Sequence, residues 1–230
     1  MVKNKDKREQ DGLTDVESAL TRTEQLIEEN QRILTIIIGA AVLIVVAYLG
    51  YTKFYLQPHE KDAQEQMFGA EQYFAKDSFN LALNGDGNYL GFLDVIDDYG
   101  STKAGNLAKY YTGISYLKLG QYQNALDYLN DFDTDDILLL PISDGAKGDA
   151  YRELGQNDEA LSSYKKAYTA SDNDFSTPIY MMKAADILES TGDLNGALDL
   201  YKSIKETYPK SNEARNIDKY IARIETKEKK

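Results

Sequence analysis

The sequence predicts an all-α chain: a single N-terminal transmembrane helix followed by a solenoid of about four helical hairpins and a C-terminal capping helix. Three observations predict it. One charge-free apolar run extends for 20 residues, four short loops carry glycines 33, 35 and 37 residues apart, and the composition holds 4 Pro, no Trp and 18 Tyr. Few prolines leave helices unbroken, and amphipathic aromatics suit the seams between them.

The apolar run is ILTIIIGAAVLIVVAYLGYT, residues 33–52. At about 1.5 Å per residue it reaches about 30 Å, the hydrocarbon thickness of a bilayer. A core helix of this character would need protein on every side. A cleaved signal peptide fits poorly, because the preceding tail is long and polar and no Ala-x-Ala site follows. The run therefore reads as an uncleaved anchor, with Tyr48, Tyr51, Phe54 and Tyr55 at the exit interface. Lys3, Lys5, Lys7, Arg8, Arg22 and Arg32 precede it, against Lys53 and Lys61 just beyond. Counted over the whole tail, this bias puts the N-terminus in the cytoplasm; counted close to the membrane, it is nearly a tie.

Residues 1–32 form the expected cytoplasmic tail. Leu13, Val16, Leu20, Thr23, Ile27, Asn30 and Leu34 fall at alternating three- and four-residue steps, and Thr14 with Glu17 resembles a capping box. The pattern suits a single amphipathic helix near the membrane or a short dimerising coil.

Residues 58–230 form the repeat domain. Aligning Gly87, Gly120, Gly155 and Gly192 brings the other positions of each unit into register. Seven residues before the glycine stand the small residues Gly113, Gly148 and Ala185, and four before it the bulky Tyr116, Tyr151 and Leu188. Five after it come Ala125, Ala160 and Ala197, and nine after it Leu129, Tyr164 and Tyr201. Small residues where two helices cross, facing large ones, at a period near 34, are the marks of a tetratricopeptide unit. The first unit is degenerate, with Phe92 where Ala is expected. Its first helix is expected to begin at Pro58 and run past Phe79. After Pro209, Ser211 is placed to cap a last helix carrying Ile217, Tyr220, Ile221 and Ile224 on one side.

The residues point to binding rather than catalysis, and no enzyme activity, cofactor or metal is expected. No cysteine is present, which removes thiolate chemistry and disulfides. His59 is the only histidine and is expected at the surface. Asp97–Asp98, Asp131–Asp136 and Asp172–Asp174 lack the glycine and terminal glutamate of a calcium loop, and GDGN at 85–88 is a turn with no phosphate-binding lysine after it. A net charge of −12 repels phosphate backbones and argues against nucleic acid. The groove along the first helices should be lined by Tyr110, Ile114 and Leu117, then Asp149 and Arg152, then Met182 and Asp186. It would hold a segment of another protein, or pack against the first or last helix of its own chain. No Lys/Arg pair dominates these positions, so a clamp for a terminal carboxylate is not expected.

The anchor, with GFLDVIDDYGSTKAGNLAKYYTGISYLKLGQYQNALDYLNDF (91–132) and GDAYRELGQNDEALSSYKKA (148–167), resembles the YfgM-type family of membrane-anchored tetratricopeptide proteins, in a version typical of Bacteroidetes. The resemblance spans roughly residues 33–226. It implies a periplasmic repeat domain on an inner-membrane anchor. It also implies the Sec translocon and an anchored periplasmic chaperone as partners, and brings no catalytic residues. An envelope-assembly adaptor linking inner-membrane complexes is the alternative reading.

Overall fold

In the computed structural model the described residues are 30–227, and every regular element among them is helical. The heptad positions from Leu13 to Ile27 and the Thr14–Glu17 box lie outside them. The described residues divide into two compact units, with the boundary between Pro58 and His59.

In the first unit, helix α1 (Gln31–Tyr51) buries none of its residues, and Ile36, Ile37, Leu43, Ile44 and Val46 all stand exposed. It is long and apolar enough to cross a membrane. An apolar surface of this extent is stable in lipid or against protein, not in water. The next five residues, Thr52–Leu56, form a π turn, in which the Gln57 N–H donates to the Thr52 carbonyl. Helix α2 (Gln57–Phe74) follows without interruption, so Pro58 does not start a helix as expected. Proline has no N–H to donate and crowds the carbonyl four residues back; a π turn immediately before it accommodates both defects.

In the second unit, α2 is followed by α3 (Phe79–Asn84), α4 (Phe92–Tyr99), α5 (Lys103–Lys118) and α6 (Tyr122–Asp131). Beyond these come α7 (Leu139–Glu153), α8 (Asn157–Ala170), α9 (Thr177–Thr191), α10 (Leu194–Thr207), a 3-10 turn (Glu213–Asn216) and α11 (Ile217–Lys227). The pairs α5/α6, α7/α8 and α9/α10 are antiparallel hairpins, each stacked on the next, and α11 lies against α10.

The hairpin loops show why glycine is needed. Gly120 and Gly155 adopt φ of 74° and 75°, a left-handed conformation. There the Gln121 N–H reaches the Tyr116 carbonyl and the Gln156 N–H the Tyr151 carbonyl, each at 2.9 Å, closing a Schellman cap. The crossings behave as the register requires. A β-carbon at Gly113 would stand 2.5 Å from Leu129 Cγ, and one at Gly148 2.5 Å from the Tyr164 ring. Ala125, Ala160 and Ala197 are fully buried.

The first unit of the solenoid is arranged differently from the sequence expectation. Its first helix stops at Phe74 instead of running past Phe79. The residue in the loop position is Asp77, with φ of 55°, and the Ser78 N–H reaches the Tyr73 carbonyl at 2.9 Å to close the same cap. Counted from Asp77, the small positions are Ala70 and Ala82, both fully buried, and the bulky one is Tyr73. Gly87 instead belongs to a turn that splits the second helix of this unit into α3 and α4. In that turn Asp86 accepts hydrogen bonds from the N–H groups of Asn88 and Tyr89, each at 2.9 Å, and from the Tyr73 hydroxyl at 2.7 Å. These contacts, the tyrosine's first, hold the Asp86 carboxyl at about 2. Phe92 is a fully buried core residue, its ring stacked 5.1 Å from that of Tyr111.

Candidate interaction groove

The C-terminal halves of the first helices α5 and α7, with the middle of α9, open onto a cavity of about 500 Å³. It is lined by Leu117 and Lys118 from α5, Tyr122 from α6, Asp149, Arg152 and Glu153 from α7, and Lys183 from α9. Three of the seven groove positions expected from sequence, Leu117, Asp149 and Arg152, meet here. The other four serve elsewhere. Tyr110 is half-buried between Tyr111 and Phe132, with ring centroids 5.6 and 5.4 Å away, and Ile114 is half-buried on the same helix. Met182 packs on the C-terminal core cluster that includes Ile217 and Ile224 of α11. Asp186 accepts from the Tyr201 hydroxyl at 3.3 Å.

Asp149 is the hub of the cavity wall. It accepts the Tyr164 hydroxyl at 2.7 Å, and both its oxygens accept Lys183 Nζ, at 2.6 and 2.7 Å. The ammonium in turn lies over the Tyr164 and Tyr180 rings, 5.7 and 5.8 Å from their centroids. The Tyr164 ring is wholly buried, so its hydroxyl needs an acceptor inside the protein. Burial first, and the bond to Asp149 second, push its pKa well above the usual phenol range. Lys183 is not among the positions expected from sequence; it stands on the neighbouring first helix, three residues before Asp186. With Lys118 and Arg152 it gives the cavity three cations against two carboxylates, a more basic lining than the sequence positions suggested.

The last helix is fastened to α9 by a second set of charged contacts. Arg223 and Lys227 of α11 both bond to Glu189 of α9, Lys227 at 2.8 Å, and the Tyr201 hydroxyl donates to Glu189 at 3.2 Å. Burial alone would raise the Glu189 carboxyl, but the hydrogen bonds from Lys227 and Arg223 outweigh it and hold it below the ordinary carboxylate range. His59 is not simply solvent-exposed: it is partly buried, its ring 4.7 Å from that of Tyr99 and its Nε2 3.2 Å from the Asp98 carbonyl. No group of three or more His, Asp or Glu side chains able to hold a metal occurs among the described residues.

Residues 146–212 match a tetratricopeptide-repeat family signature, and residues 107–134 match a second signature of the same name. The fold is also that of solved tetratricopeptide-like repeats. One is a crystal structure of the nearly identical TPR-like repeats of a Podosopora anserina protein described as a kinesin light chain, at a TM-score of 0.54 and 15% identity, covering 71% of this chain and 85% of that one. A single-substitution variant of those repeats gives a TM-score of 0.56 at 15% identity, covering 73% of this chain and 87% of that one. No curated protein matches. At this identity the likeness establishes a tetratricopeptide-like solenoid and nothing finer.

Proposed function

We propose that the protein is a membrane-anchored interaction scaffold. Its N-terminus lies in the cytoplasm, residues 33–52 cross the inner membrane, and the repeat domain of residues 58–230 stands in the periplasm. The observation that carries this reading is the open cavity contributed by three successive first helices, on a chain whose N-terminal helix is predominantly apolar and buries none of its residues. The groove, centred on Leu117, Asp149 and Arg152 with Lys118 and Lys183 beside them, takes an extended or helical segment bearing both apolar and charged side chains. Its partners are the Sec translocon and an anchored periplasmic chaperone, a step that rests on the YfgM-type resemblance.

Two measurements test it. Accessibility of the repeat domain to protease in intact spheroplasts checks the topology: digestion supports the periplasmic placement, and protection removes it together with the secretion partners. Photocrosslinking from positions 117 and 152 in cells checks the partners. Adducts with translocon or chaperone subunits, lost in an Arg152→Glu variant, support the reading. Adducts only with cytoplasmic proteins, or none, overturn it.

A further inference from the structure

The loops that join one hairpin to the next repeat a device the groove does not use. Asp136 Oδ1 accepts the N–H groups of Leu138 and Leu139, at 2.8 and 3.0 Å, just before α7. Asn173 Oδ1 accepts the N–H groups of Phe175 and Ser176, at 2.9 and 2.7 Å, just before α9. The two capping residues are 37 residues apart, the same step as from Gly155 to Gly192, so they are structurally equivalent. Each holds its loop in a fixed turn and presents the residue two positions on. Those residues are Leu138, 57% exposed, and Phe175, 70% exposed; Ile137 beside Leu138 is 73% exposed.

A turn of this kind is made by the capping side chain and the backbone, and asks nothing of the side chain it displays. Large apolar groups held outward at equivalent points on adjacent repeats therefore need a reason other than folding. The surroundings say what would cover them. The two loops, 132–138 and 171–176, carry five aspartates and no Lys or Arg. An anionic lipid surface is repelled by such a rim, and so is a second copy of a chain whose net charge is −12. A cationic segment with apolar side chains is attracted to it.

We propose that Leu138 and Phe175, with Ile137 between Asp136 and Leu138, form a second docking surface along the inter-hairpin loops. It takes a basic, amphipathic segment of another protein, whose apolar side chains cover the two knobs while its lysines or arginines face Asp135, Asp136, Asp172 and Asp174. This surface is separate from the groove and holds on either side of the membrane, so it stands or falls independently of the proposed function.

The test uses the full chain in nanodiscs with zwitterionic lipid and a labelled synthetic peptide of about four helical turns, leucines on one face and lysines on the other. The variant Leu138→Ser/Phe175→Ser keeps both capping side chains and all backbone donors, and should melt as the parent does. The parent is expected to bind the peptide with an affinity that falls as salt rises, and the variant about tenfold or more weaker, the loss of two apolar contacts. Asp135→Asn/Asp174→Asn should weaken binding and flatten the salt dependence. Equal binding by parent and Leu138→Ser/Phe175→Ser overturns the proposal, as does equal binding of a peptide with glutamate in place of lysine. Binding of empty anionic vesicles that depends on Leu138 and Phe175 assigns the knobs to a membrane and overturns it as well. So does self-association abolished by the same variant.

Discussion

The second hairpin and the two that follow it fill the same position by opposite chemistry. In the second, the residue six before the loop glycine is Ile114 and the one nine after it is Leu129, an apolar pair. In the third and fourth, the same positions hold Asp149 with Tyr164 and Asp186 with Tyr201, and in each the phenol donates to the carboxylate of its own hairpin. Leu129, Tyr164 and Tyr201 are all fully buried. The crossing therefore accepts either a pure hydrocarbon or a ring whose polar end is satisfied, provided both members of the pair change together. The polar version does something more: its carboxylate is also available to the neighbouring helix, as Lys183 shows at Asp149.

This comparison can be broken or sharpened by substitution. The largest effect is expected for Tyr164→Ala, which removes a buried ring from above Gly148 and strips Asp149 of one donor. A loss of about 3–5 kcal/mol in chemical denaturation is expected, and a loss under about 1 would mean the crossing is not a core contact. Next comes Ile114→Asp, which sets a carboxylate beside Leu129 with no donor, at a cost of about 2 kcal/mol. Adding Leu129→Tyr should recover a good part of it, since Gly113 leaves room for a ring as Gly148 does. A double-mutant cycle with no coupling would refute the equivalence of the hairpins.

Smaller again is the loss of the hydroxyl alone. Tyr164→Phe should cost about 1 kcal/mol and Tyr201→Phe less, because the first phenol bonds at 2.7 Å and the second shares two longer bonds of 3.3 and 3.2 Å. The reverse order of the two melting temperatures would show that the bonds do not set the difference. The smallest effect belongs to the Asp86 turn. Its folded pKa, about 2, lies below the usual carboxylate value, so its contribution is complete above about pH 4 and fades as pH falls toward 2. Tyr73→Phe should raise the Asp86 titration midpoint seen by NMR, and an unmoved midpoint would assign the shift to the backbone donors instead.

The hairpin register was legible because its signals are local and steric. A small residue is needed where helices touch and a glycine where the backbone turns left-handed, and both leave marks at fixed offsets. The first unit misled for the same reason. Its left-handed residue is Asp77, which carries no such mark, while Gly85 and Gly87 mark an inserted turn of their own. The apolar pattern continues through Phe74 and Phe79, so nothing in it announces the break. The groove is legible only in part because a groove-lining position does not reveal that Asp149 and Asp186 each also serve a tyrosine 15 residues on. That pairing is visible in the sequence as Asp with Tyr in two units and Ile with Leu in the third. Such signals appear only when units are compared with one another rather than with a motif.

A stack of like units has no internal reason to end: whatever surface receives one hairpin from below offers the next a place above. In this chain α11 takes that place, covering Tyr201 and Ile204 with Ile217 and Ile224 and fastening itself to Glu189 through Arg223 and Lys227. Without this half-unit the top of the stack would be a template, ready to receive the corresponding surface of another molecule and to propagate as a fibre. One short helix thus occupies the place where a further like surface would otherwise add to the fourth hairpin.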